Sequence, residues 1–138
     1  MISKFLTVRN NKFTQNFELP EFFQLPFELD DFQKHAVDCI NRNEDVLVSA
    51  HTGSGKTLPA EFAIEYFVSM GKKVIYTGPI KALCNQKLWD FKQKFPNISF
   101  GVLTGDIKDN PDADCLIMTT EILRNNLLSK EINKNNNN

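Results

Sequence analysis

The run Ala50-His51-Thr52-Gly53-Ser54-Gly55-Lys56-Thr57 constrains this chain more than any other stretch, because it joins an apolar strand-like segment to an apolar-striped helical one. Asp45-Val46-Leu47-Val48-Ser49 reads as a short buried strand. Residues 55–70 read as a helix that buries Leu58, Phe62, Ala63, Tyr66 and Phe67. A glycine-rich turn between such elements aims backbone N–H groups and a positive helix end at one point, which suits a phosphate. The pattern G-x-x-x-x-G-K-S/T is met except at its first position, where Ala50 stands, a tolerable exchange if the backbone there is still strand-like. His51, Thr52, Gly53, Ser54 and Gly55 are then the expected cradle. Lys56 is expected to reach the β- and γ-phosphates of a nucleotide, and the Thr57 hydroxyl to ligate Mg²⁺. A plain glycine turn without a ligand is the competing reading, and it leaves the Gly-Lys-Thr ending unexplained.

Around that loop the chain alternates strands and helices. Asp30 is an expected N-cap for a helix with Phe32, Ala36, Val37 and Ile40 on one face, ending near residues 41–43. Pro59 falls in the first turn of the helix after the loop, where a missing N–H costs little, and Gly71 is expected to close that helix. Val74–Thr77 is a second strand, and residues 80–95 form a helix with Leu83, Leu88 and Phe91 inward, stopped by Pro96. Ser99–Leu103 and Cys115–Thr119 are further strands, and Thr120 to Leu128 a last helix. This spacing implies an α/β fold with a parallel sheet flanked by helices. Ligands of such sheets gather at the carboxyl ends of the strands, where the loops at residues 52–57, 78–81, 104–106 and 119–121 are all expected to lie.

Three sections follow: an aromatic-rich extension over residues 1–29, anchored through its phenylalanines; the α/β part over residues 30–129; and an Asn-rich tail over residues 130–138, expected to be disordered. The formal charge of −1 excludes a polycationic surface, so a nucleic acid would have to be held by local groups. Three cysteines without metal or disulfide spacing read as buried reduced thiols. No segment has the apolar length of about 18 residues that spans a membrane, and the N-terminus lacks the order of a signal peptide, so an intracellular, non-membrane protein is expected.

Three further segments fall at fixed places downstream of the phosphate loop: Pro79-Ile80-Lys81-Ala82-Leu83-Cys84-Asn85-Gln86-Lys87, Leu103-Thr104-Gly105-Asp106 and Met118-Thr119-Thr120-Glu121-Ile122-Leu123-Arg124. Together with the loop, of the form A-x-T-G-x-G-K-T, they resemble the first RecA-like domain of superfamily 2 helicases, most closely the superkiller-type DExH RNA helicases. Phe27-Glu28-Leu29-Asp30-Asp31-Phe32-Gln33 is similar to that family's adenine-reading Q motif. The resemblance implies ATP and Mg²⁺ as cofactors, with the Gln33 amide on the adenine edge and Phe27 stacked on the base. It also implies single-stranded RNA held by its phosphates without base readout, at Pro79, Lys81, Thr104, Gly105, Thr119 and Thr120. Ordinary turn and capping roles compete at these positions, above all for Thr120. Superkiller relatives usually carry Ser-Ala where this chain has Gly53-Ser54, so the loop has the generic superfamily form.

The same resemblance implies an Asp-Glu-x-His segment that completes Mg²⁺ binding and orients the attacking water, and a second RecA-like domain with arginine fingers. Neither occurs in these 138 residues. Fingers of that kind contribute on the order of 10³ to 10⁵ in rate. The expectation is therefore the ATP-binding part of an ATP-dependent RNA helicase that by itself binds Mg-nucleotide weakly and hydrolyses it negligibly. Remaining helicase domains are its expected partners in trans. The alternative is a non-catalytic remnant or interaction module that pairs through an open sheet edge. A small P-loop kinase or GTPase ranks below both.

Overall fold

A computed structural model describes residues 6–135, without the side chains of residues 130–135. By internal packing the chain divides into two units, Met1–Glu65 and Tyr66–Asn138.

In the first unit, α1 (Asp31–Asn41) starts at Asp30, whose extended backbone and N-cap position follow the sequence reading. It ends in a left-handed residue, Asn43 (φ 59°), a conformation that asparagine tolerates. The N–H of Glu44 reaches the Cys39 carbonyl at 2.9 Å and that of Asn43 the Ile40 carbonyl at 2.9 Å, so the last turn is satisfied by the paired bonds of a Schellman motif. The aromatic extension has no regular secondary structure, but it is anchored. Phe23 is buried edge-on against Phe62 at 5.2 Å, and Phe22 stacks on the same ring at 6.2 Å. Arg9 bridges to Asp38 and Glu44, both of which also pair with Arg42.

α2 (Thr57–Ser69) follows the phosphate loop, with Pro59 in its first turn as expected. Gly71 (φ 73°) closes it: Gly71 N–H bonds to the Val68 carbonyl and Lys72 N–H to the Phe67 carbonyl. Ile64 is buried in place of the expected Ala63, Tyr66 and Phe67, which are only half-buried.

The second unit holds a four-stranded sheet of order β1-β4-β2-β3, where β1 is Val74–Gly78, β2 Phe100–Leu103, β3 Lys108–Asp109 and β4 Cys115–Thr119. β1 and β2 both run parallel to β4, and only the two-residue β3 is antiparallel. The fold is thus the expected α/β arrangement, with a parallel sheet and flanking helices. α3 (Lys81–Lys94) packs on the sheet face that carries Tyr76, Ile117, Phe100 and Val102, with Phe91 at the centre. The Phe91 ring meets Tyr76 at 5.2 Å, Phe100 at 5.8 Å and Phe95 at 6.1 Å. Cys84, Leu88, Phe91 and Phe95 recur at helical spacing along the inner stripe, and Leu83, expected inside, is exposed. The phase is set by Gly78: its missing side chain leaves room for Cys84, whose Sγ would lie 3.0 Å from a Cβ there.

Two further expectations fail. Asp45–Ser49 forms no strand, and Leu47 is 87 % exposed, because no strand among the described residues pairs with it. A strand needs a partner's carbonyls and N–H groups as well as an apolar run. The last helix, α4 (Thr120–Asn135), runs past its expected end at Leu128. No glycine or proline interrupts residues 129–135, and backbone bonds along a helix require no burial. Residues 136–138 of the expected tail lie outside the described residues.

Cys39, Cys84 and Cys115 are free and buried, as expected; burial pushes the Cys115 thiol up to about 12. Among the described residues no cluster of side chains could hold a metal alone, and no helix is long and apolar enough to cross a membrane.

Gly101 is the tightest point of the sheet, since a Cβ there would run into the carbonyl oxygens of Asp109 and Asn110. Backbone oxygens cannot rotate away as a side-chain tip can. Gly101→Ala is therefore expected to lower stability by about 1–3 kcal/mol. Gly105→Ala, which meets nothing within 4 Å, should stay within about 0.5 kcal/mol. Denaturant unfolding of the two variants checks the contrast.

Candidate functional site

The glycine-rich loop at residues 50–57 belongs to the first unit and closes on the carbonyl of His51. That oxygen accepts from Lys56 Nζ at 2.6 Å, Ser54 Oγ at 2.7 Å and Ser54 N–H at 3.3 Å. Two left-handed glycines, Gly53 (φ 84°) and Gly55 (φ 79°), make the turn. Thr57 is the first residue of α2, and Leu58 N–H reaches back to the Gly55 carbonyl at 3.2 Å. The ammonium of Lys56, the Thr57 hydroxyl and the N-terminal end of a 13-residue helix thus follow one another at one turn, an arrangement whose donors suit an anion. That donor set fits a Mg-bound polyphosphate, with Mg²⁺ taking most of its ligands from phosphate and water.

Gln33 is only 5 % exposed and uses both ends of its amide. Its Oε1 accepts from Asp30 N–H at 2.9 Å, finishing the start of α1, and its Nε2 donates to the Gly55 carbonyl at 3.2 Å. Gln33 therefore ties the helix cap to the phosphate loop, a contact that the sequence reading missed. Its likeness to the Q motif, which placed it near the nucleotide, was the available signal. Phe27 is 55 % exposed and lines a different cleft of the first unit with Phe13, Phe17, Leu29 and Lys34; no residue of the phosphate loop lines that cleft.

The second cluster is built by strand register. Gly78 of β1 stands beside Thr119 of β4, and Leu103 of β2 beside Met118, so three strands end together. The turns that leave them form an open cleft of about 480 Å³, lined by Pro79, Ile80, Lys81, Ala82, Gly105, Thr119, Glu121 and Ile122. Four of the six residues expected to hold RNA, namely Pro79, Lys81, Gly105 and Thr119, are thus brought together. The other two are tied in beside them. Thr104 is buried and donates its hydroxyl to Asp106 Oδ1 at 3.1 Å; the Thr120 hydroxyl donates to the Gly78 carbonyl at 3.3 Å, pinning α4 to the end of β1. Thr120 thus serves β1 with its side chain rather than its own helix.

α3 begins in this cleft without a side-chain cap, since Ile80 occupies the N-cap position. Lys81 Nζ lies 2.5 Å from Asp106 Oδ1. That ammonium, with help from the Thr104 hydroxyl, holds the Asp106 carboxyl below the usual carboxylate range. Glu121 in the first turn of α4 lines the cleft itself, while Asp106 pairs with Lys81 from beside it. Neither carboxylate was assigned a role from the sequence.

Residues 30–137 match the sequence profile of the DEAD/DEAH box helicase family. The chain belongs to that family. Its helicase relatives include the antiviral helicase SKI2 of Saccharomyces cerevisiae, 56 % identical over 102 residues, which are 74 % of this chain and 8 % of that protein. The exosome RNA helicase MTR4 of Homo sapiens is 50 % identical over 104 residues, 75 % of this chain and 10 % of the relative. The mRNA transport homolog 4 of Caenorhabditis elegans is 54 % identical over 102 residues, 74 % of this chain and 10 % of the relative. The chain therefore spans about a tenth of the length of the relatives it matches. Within the helicase family, the resemblance to the superkiller type read from the four motifs is borne out by these relatives.

The contact between Gln33 and the loop gives a sharp comparison of two glycines. A Cβ on Gly53 would meet nothing within 4 Å, whereas one on Gly55 would lie 2.6 Å from Gln33 Nε2. Gly53→Ala should cost only the left-handed backbone strain, about 1–2 kcal/mol. Gly55→Ala should cost measurably more, and the excess should vanish in a Gln33→Ala background. Urea unfolding of the single and double variants measures the coupling.

Proposed function

We propose that this chain is the ATP-binding part of an ATP-dependent RNA helicase, holding Mg-ATP at residues 51–57 and the backbone of single-stranded RNA at the Lys81–Thr104–Thr119 cleft. The observation that carries the nucleotide reading is the self-closed loop with Lys56 and Thr57 at the head of α2 and Gln33 bonded to Gly55. Lys56 and the loop N–H groups would neutralise phosphate oxygens, and the Thr57 hydroxyl would ligate Mg²⁺. When bound, ATP supplies a phosphoanhydride whose cleavage drives conformational work in such motors. Gln33 already spends one N–H and one lone pair within the protein and retains one of each for an adenine edge. Phe27 is proposed as the stacking partner of the base.

For RNA, the support is an uncapped helix start, a lysine and two threonines at one sheet edge, without a side chain set that would read bases. Such a track binds any sequence. The names of the relatives, which include RNA helicases, point the same way. Remaining helicase domains in trans are the proposed partners.

Because the 138 residues contain no Asp-Glu-x-His segment, the chain is proposed to bind nucleotide without significant turnover. Titration with a fluorescent ATP analogue and Mg²⁺ should show saturable binding that Lys56→Ala weakens roughly ten- to a hundredfold, the worth of a charged hydrogen bond. Robust RNA-stimulated, Lys56-dependent ATP hydrolysis by the chain alone would refute the inactive part of the reading.

One observation favours a second reading, an interaction module. Among the described residues β1 pairs with β4 alone, so its other edge has N–H and carbonyl groups that another strand could take. Sedimentation that shows a compact monomer across the concentration range would count against it.

A further inference from the structure

Asp106 engages two of the side chains that the proposed track offers to a phosphate. Its Oδ1 takes the Lys81 ammonium at 2.5 Å and the Thr104 hydroxyl at 3.1 Å, so one carboxylate oxygen collects two of the donors offered to RNA. Lys81 is the only basic side chain lining the cleft, and Glu121 is the only other charged one. With its one cation already paired, the cleft has no excess of positive charge. A phosphate approaching Lys81 meets a neutral pair rather than a free ammonium.

We infer that Asp106 is an intramolecular competitor for the RNA backbone, a carboxylate that holds Lys81 and Thr104 until a phosphate displaces it and thereby keeps RNA affinity low. This rests on the reading of the cleft as an RNA track and adds its regulation. Both partners are well exposed, with 51 % of the Lys81 and 62 % of the Asp106 side chain accessible, so the pair is weak enough to exchange. The exchange has a recognisable signature in salt. A lysine that leaves a carboxylate for a phosphate transfers its pairing, so the release of the phosphate's counterion is offset by a cation gathered at the freed Asp106. Without the carboxylate, that release is not offset.

The test uses the full 138-residue chain and a fluorescently labelled oligouridylate, with anisotropy measured over a range of salt concentrations. Four proteins are compared: wild type, Asp106→Asn, Lys81→Ala and the double variant, each checked for unchanged helicity by circular dichroism. Asp106→Asn is expected to tighten binding about two- to fivefold, the range of an exposed ion pair. It should also steepen the dependence of log K on log salt by about 0.7. In the Lys81→Ala background the same change should do almost nothing. RNA binding by Asp106→Asn where wild type shows none would support the inference equally.

The inference is overturned, with the RNA track left standing, if Lys81→Ala weakens binding while Asp106→Asn leaves it unchanged or weakens it. It is also overturned if Asp106→Asn tightens binding equally with and without Lys81, since the carboxylate would then act by general repulsion. If wild type and Lys81→Ala both bind RNA measurably and alike, or no variant binds, the RNA reading itself falls and takes the inference with it.

Discussion

The second unit depends on one register. Parallel pairing of β1 and β2 with β4 sets Gly78 beside Thr119 and Leu103 beside Met118, so the chain leaves three strands at nearly the same height. Every group of the cleft follows from that alignment. Pro79 to Ala82 start a helix there, Thr104 and Asp106 turn there, and Thr119 ends β4 as α4 begins. The pairing is held from one side by α3, whose Phe91 meets rings on β1 and β2 and fixes the helix start relative to the strand ends. Slipping one strand by a residue would turn its buried face outward and separate the polar turns.

The first unit rests on a smaller device of the same kind. A buried amide must satisfy its hydrogen bonds or lose stability, and Gln33 does so by joining the N-terminus of α1 to the Gly55 carbonyl. The bond makes the geometry of the loop dependent on a residue 22 positions earlier. It also means that a Cβ at Gly55 would have to displace the Gln33 amide, in addition to straining the left-handed turn.

Much of this was legible in the sequence because the signals were local. Asp30 as N-cap, Gly71 as the closing residue of α2, Pro59 within its first turn and the strand Cys115–Thr119 each depend on a few neighbouring residues. What was not legible required partners distant in the chain. Val46, Leu47 and Val48 carry the composition of a strand, yet composition does not supply the neighbouring strand. Leu83 looked like the inward residue of α3 until Gly78 admitted Cys84 in its place. At the sites, the motif residues were legible as types and positions. The ties from Gln33 to Gly55 and from Lys81 to Asp106 were hidden, because they join segments 22 and 25 residues apart through exchangeable polar groups.

The bond from Lys56 to the His51 carbonyl bears on the thermodynamics of any ligand the loop takes. A free lysine surrenders about 2 kcal/mol of rotamer freedom when it is immobilised. Here the four-carbon stem is already held, so an arriving anion exchanges one acceptor oxygen for another instead of ordering a disordered chain. Binding then has a smaller entropic opposition but also a smaller enthalpic gain, because a good hydrogen bond is given up for each one made.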